Sequence, residues 1–149
     1  MKHLLILMLA FCTFSATTLQ AEPTGKDLIA YRKAVMSSIG AHAGAIAAMV
    51  RQKVDYDHMQ AQASAMAATL STIDDVFPAN SSSEAGETEA LASIWEDADG
   101  FAKAVADSQA AANSFVEAAE TGDPAGIGKA FGALAGTCKG CHDNYRQAK

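Results

Sequence analysis

Residues 136–149 read Gly-Thr-Cys-Lys-Gly-Cys-His-Asp-Asn-Tyr-Arg-Gln-Ala-Lys, and within them lie Cys138, Cys141 and His142. On a helix, positions three and four apart leave neighbouring points of one face, so these three side chains can act on a single object. Two thiols and an imidazole so spaced suit a redox dithiol, a zinc site or a covalently held haem. A dithiol of the thioredoxin kind belongs where a strand enters a helix N-terminus, whose dipole lowers the thiol pKa. Here the pair stands at the C-terminal end of a helical stretch, where the dipole has the opposite sign. Structural zinc needs four protein ligands, and His42 and His58 belong to other predicted helices. Haem needs no further assumption: both sulfurs add to its vinyl groups and the adjacent histidine becomes an axial ligand.

Outward from the motif, the sequence reads as helices. The string Thr-Gly-Asp-Pro-Ala-Gly at 121–126 ends one helix and begins the next, with Gly122 as the stop, Asp123 as N-cap and Pro124 at the first helical position. A last helix therefore runs from Pro124 to about Gln147. The preceding one runs from near Glu89 to Glu120, loosened at Gly100, with Ile94, Phe101, Val105, Ala112, Phe115 and Ala119 on its inner face. Thr24 and Asp27 form a capping box for a first helix reaching about Arg51, whose inner face carries Leu28, Tyr31, Val35, Ile39, Ala43, Ile46 and Met49. Asp55 or Asp57 caps a second helix bearing Met59, Ala63, Met66, Leu70 and Ile73, which ends before Pro78. Four amphipathic helices, two short links and one longer polar loop at 77–87 give an all-α fold, an antiparallel up-down-up-down four-helix bundle.

Residues 1–21 look like a secretory signal peptide: Lys2 and His3, an apolar run from Leu4 to Phe14, and a small residue at Ala21. The domain proper is then 22–149, an exported domain in the periplasm. No later stretch is expected to reach the roughly 20 apolar residues of a membrane span. Cys12 follows the bulky Phe11 and is not read as a lipidation site. It leaves with the leader, so Cys138 and Cys141 are the only cysteines of the mature chain and no disulfide framework exists. The formal charge of −6 becomes −7 without Lys2. Such a chain lacks the basic footprint of a nucleic-acid binder and the polybasic segment of a membrane anchor. Its acidity serves solubility and would also suit a basic redox partner protein.

The strings Cys-Lys-Gly-Cys-His-Asp-Asn-Tyr-Arg at 138–146, Ala-Tyr-Arg-Lys-Ala-Val-Met at 30–36, Tyr-Asp at 56–57 and Ile-Trp at 94–95 together resemble the class II cytochromes c, which comprise cytochrome c prime and its low-spin relatives. The C-terminal place of the haem motif is the specific part of the resemblance. It implies one haem c per chain, covalently attached at Cys138 and Cys141, with His142 as proximal ligand. It further implies that Arg32 contacts a haem propionate and that Arg146, four residues past His142 on the same helical face, tunes the proximal side. A family position often filled by Gln is Lys33 here. The implied protein is a carrier or gas binder, not an enzyme, and relatives often form homodimers through their first two helices.

Met36 occupies the position from which such proteins present a distal residue. Bonded to iron, its sulfur gives a low-spin, six-coordinate one-electron carrier; crowding the pocket without bonding, it leaves a five-coordinate iron that takes nitric oxide or carbon monoxide. The context after Met36 favours the electron carrier, with Met36 as axial ligand, and the gas binder is the alternative. His42 is a rival ligand but lies nearly two turns further on. Gly128, Gly132, Gly136 and Gly140 recur every four residues, and since each costs helix stability, about 1 kcal/mol against alanine, the stripe predicts close approach of haem, a neighbouring helix or a second subunit.

Overall fold

The computed structural model describes residues 22–52 and 54–148; the signal peptide expected at 1–21 lies outside them. Helix α1 spans Gly25–Val50, α2 Met59–Leu70, α3 Ser93–Glu96, α4 Ala98–Thr121 and α5 Pro124–Tyr145. Short 3-10 turns at Ile73–Asp75 and Ala79–Ser81 divide the connection between α2 and α3. Among the described residues no strand forms; Ala90 and Arg146 make a single antiparallel bridge.

Local chemistry sets most of the boundaries. Thr24 accepts from the Asp27 N–H at 3.3 Å while Asp27 accepts from the Thr24 N–H at 2.9 Å, the reciprocal box expected at the start of α1. Asp123 caps α5 by accepting from the N–H groups of Ala125 and Gly126, with Pro124 opening the helix. Gly122, at φ +68°, ends α4 in the left-handed region that glycine enters without strain. The N-cap of α2 is His58, with no capping side chain, so neither Asp55 nor Asp57 has the expected role. Ile73 lies in the first 3-10 turn, just beyond α2.

The third predicted helix begins later and breaks elsewhere than expected. Glu89 and Ala90 are not helical, and the interruption falls at Asp97 (φ −116°, ψ 59°), not at Gly100. The cause is capping: Asp97 accepts from the Gly100 N–H at 3.2 Å and starts α4 afresh. The last helix stops at Tyr145, since Arg146 is extended (φ −130°, ψ 141°) to bridge Ala90.

The core is built from Ile46, Met66, Phe115, Ile127 and Leu134, all essentially without exposure, and Phe115 meets Phe131 with ring centroids 5.6 Å apart. Each such side chain contributes about 1.5–3 kcal/mol of apolar burial. In the first turns of α1 the buried residues are Ile29 and Arg32, while the expected Tyr31 is 57% exposed; the inward face is turned by one residue because Arg32 finds buried acceptors. Contrary to expectation, α1, with 26 residues and a mean hydropathy of 1.2 in its most apolar window, is long and apolar enough to cross a membrane. Its Ile29, Val35, Ile39, Ile46 and Met49 are buried within the bundle. The helix α4 packs along α2 and α5, and α1 along α2, but α1 and α5 scarcely touch. Between them a cleft stands open.

Candidate functional site

Four helices line a cavity of about 590 Å³ in that cleft, a size typical of a cofactor pocket. From α1 come Arg32, Met36, Ile39, Gly40 and Ala43, a stripe at helical spacing; α2 adds Met66 and Leu70, and α4 adds Phe101, Val105 and Ser108. The opposite wall is α5, presenting Cys138, Cys141, His142 and Tyr145. Spacings of three and four along α5 do bring the two thiols and the imidazole to one face, as the sequence requires.

Cys138 and Cys141 are free thiols. Burial pushes the pKa of both upward, and for Cys141 the neighbouring Cys138 adds to the effect, so both remain protonated at neutral pH. His142 is pushed the other way, first by burial and then by the Arg146 charge, against smaller opposing effects of Asp143 and Glu89. It is therefore neutral, with a nitrogen lone pair for a metal. Among the described residues no three His, Cys, Asp or Glu side chains gather as an ion-binding cluster. A wide, mainly apolar slot with two thiols and one imidazole on a single wall fits a flat macrocycle instead.

Residues 27–146 match the family model described as Cytochrome C'. The chain belongs to the cytochrome c' family. It is 36% identical to the cytochrome c' of Rhodospirillum rubrum over 147 residues, covering 98% of this chain and 99% of the relative. The solved cytochrome c' of Rubrivivax gelatinosus superposes with a TM-score of 0.78 at 31% identity, over 83% of this chain and 98% of that one. A nitric oxide complex of a cytochrome c prime variant from Alcaligenes xylosoxidans superposes with a TM-score of 0.78 at 25% identity, over 86% and 100%. As in that family, the fold is a four-helix bundle and the chain carries one covalently attached haem c.

Seen as a cytochrome c' site, the cleft holds Met36 on the α1 wall, half-buried against the core and facing the slot from the side opposite the motif. His42 is not among the lining residues; its Nδ1 is 2.8 Å from Gln62 Oε1, so it ties α1 to α2. Arg32 is 3% exposed. Its Nη1 donates to Ser81 Oγ at 2.7 Å and to the Val76 carbonyl at 3.4 Å, and its Nη2 donates to the Ser81 carbonyl and Thr88 Oγ1, both at 2.9 Å. Its guanidinium also lies 4.8 Å from the Phe77 ring centroid. Arg146 does not continue the His142 face of α5 as expected; it lies past the helix end, where Nε and Nη2 reach Glu89 Oε2 at 2.8 and 2.7 Å.

Sequence reasoning missed Phe77, Thr88, Glu89 and Tyr145 as lining residues. Tyr145 carried a usable signal, three residues past His142 on the same helix. Of the three neighbours expected along the glycine stripe, a helix of this chain is the one the bundle does not supply at Gly132, Gly136 and Gly140. Among the described residues, a Cβ on Gly132, Gly136 or Gly140 would meet nothing within 4 Å, while on Gly128 it would meet Val50 Cγ1 of α1 at 4.0 Å.

Proposed function

We propose that the chain is a periplasmic protein whose haem iron is bound by His142 on one side and takes a small neutral gas, nitric oxide or carbon monoxide, on the other. The observation that carries this reading is the end-to-end match to a cytochrome c', joined to a slot with the thiols and imidazole on one wall and apolar side chains on the other. The relative from Alcaligenes xylosoxidans, solved as a nitric oxide complex, supports the ligand class. The sequence alone favoured a low-spin carrier with the Met36 sulfur on the iron. Nothing in the comparisons supports that preference, and the five-coordinate alternative agrees better with the relatives.

Bound haem supplies an iron that changes by one electron and holds a gas in its open position. The chain does the rest. Cys138 and Cys141, kept as thiols by burial, would hold the macrocycle on α5 through thioether bonds. His142, kept neutral, would offer a nitrogen lone pair to the iron. Met36, Ile39, Met66, Leu70, Ile73 and Val105 form the facing wall; having no N–H or O–H, they admit a neutral diatomic and give no hydrogen bond to a bound anion. Arg32 is engaged with Val76, Ser81 and Thr88, so its first role is to pin the 76–88 segment, and a propionate would share that guanidinium. Residues 1–21 serve as the export leader and 22–149 as the mature domain, consistent with periplasmic haem attachment.

The test is the ferric optical and paramagnetic-resonance spectrum of the purified holoprotein. A high-spin form without a methionine-to-iron charge-transfer band is expected, and Met36→Ala leaves it high-spin while tightening carbon monoxide binding by removing the crowding side chain. A low-spin spectrum that Met36→Ala converts to high spin overturns the reading in favour of the electron carrier; no Soret band removes haem altogether.

A further inference from the structure

The two walls of the cleft barely meet, yet both are tied to the segment 88–97. On the α1 side Thr88 Oγ1 accepts from Arg32 at 2.9 Å. On the α5 side the segment caps the helix end. The Leu91 N–H donates to the Tyr145 carbonyl at 3.0 Å, Ser93 Oγ donates to the Asn144 carbonyl at 3.0 Å, and Asp97 Oδ2 accepts from the Tyr145 hydroxyl at 2.9 Å. The first two of these bonds satisfy carbonyls that a helix C-terminus leaves without intrahelical partners. The Gln147 N–H closes the bridge on the Glu89 carbonyl at 2.8 Å. Next to that backbone bridge, Glu89 Oε2 takes both Nε and Nη2 of Arg146.

Resting on the reading of His142 as the iron ligand, we propose that Glu89 is a positioning residue for the haem: its two-nitrogen grip on Arg146 fixes one positive charge beside His142, and the pair sets the reduction potential of the iron. Two observations support it. Glu89, His142 and Arg146 all line the same cleft. The Arg146 N–H donates to the His142 carbonyl at 3.2 Å, so Arg146 is linked to the ligand through the backbone as well. Side-chain exposures of 34% for Arg146 and 49% for Glu89 make the ion pair worth little as a stabiliser, which leaves its field as the larger effect.

The experiment is redox titration of holoproteins at low and high salt. Glu89→Gln removes a negative charge and leaves Arg146 ungripped, so the potential rises, by less at high ionic strength. Arg146→Lys keeps the charge but loses the planar fork; it shifts the potential when Glu89 is present and adds nothing in the Glu89→Gln background. An unmoved potential in Glu89→Gln overturns the proposal, as does an Arg146→Lys effect that is the same in both backgrounds, nil included. Thermal midpoints are recorded in parallel, since a merely structural strap moves those and not the potential. His142→Gly separates the two levels of the argument: if it retains the wild-type ferric spectrum, the ligand assignment fails; if it loses that spectrum and exogenous imidazole restores it, a silent Glu89→Gln refutes only the positioning role.

Discussion

Replacing Arg32 by methionine, which keeps length and removes the guanidinium, should destabilise the holoprotein by about 3 kcal/mol. Arg32 makes three short hydrogen bonds to Ser81 and Thr88, a longer one to Val76, and a contact with the Phe77 ring. Counting the three short bonds at about 1.5 kcal/mol each, the low end for a charged donor, and the desolvated cation–π contact at about 2 kcal/mol, the gross loss is about 7 kcal/mol. Against it stands the relief of keeping a cation at 3% exposure, roughly 4 kcal/mol. Burial holds the Arg32 pKa below its ordinary value, in accord with that cost. Urea unfolding followed by far-ultraviolet circular dichroism measures the difference, since the covalent haem stays attached throughout. With a slope of about 1.5 kcal/mol per molar, the midpoint falls by about 2 M. Hydrogen exchange at 76–90 should accelerate in the same variant. A midpoint within about 0.3 M of wild type refutes the reasoning, because Arg32 would then be replaceable in its network.

Phe115→Ala removes a side chain with no exposure that packs on Phe131, at a cost of about 3–5 kcal/mol in the same urea assay; a loss below 1 kcal/mol would mean the core refills from its neighbours. Asp27 is held below the ordinary carboxylate range by its hydrogen bonds with the side chain and backbone of Thr24. Its folded pKa is thus below its unfolded one, so the capping box stabilises α1 fully above the unfolded pKa and loses that contribution as pH falls through the folded one. Melting curves taken between about pH 5 and pH 3 should therefore fall more steeply for wild type than for Asp27→Asn, and parallel curves would count against the box.

What was legible in the sequence was what local chemistry decides. Thr24 with Asp27, and Gly122-Asp123-Pro124, act within a few residues of themselves and placed the ends of α1, α4 and α5 closely. Cys138, Cys141 and His142 are likewise within one turn and a half, so their common face followed from helical spacing. Three of the departures share one origin, bonding between distant segments. Glu89 reads as a helix opener until it is seen bonded to Arg146, and Arg146 reads as a continuation of α5 until the Ala90 bridge draws it out. Arg32 sits in a regular apolar pattern as an exception, and its acceptors Ser81 and Thr88 lie about fifty residues away in a loop without periodicity. The state of the iron is a further step removed, since a methionine that bonds and one that crowds have the same sequence.

The thin contact between α1 and α5 has a consequence for the life of the protein in the cell. A bundle whose first and last helices are spaced by a prosthetic group cannot close dry without it: about 590 Å³ of apolar space would cost on the order of 10 kcal/mol, comparable to the entire stability of a domain this size. A chain awaiting haem is accordingly expected to be looser along that seam, and more open to proteolysis, than the finished protein.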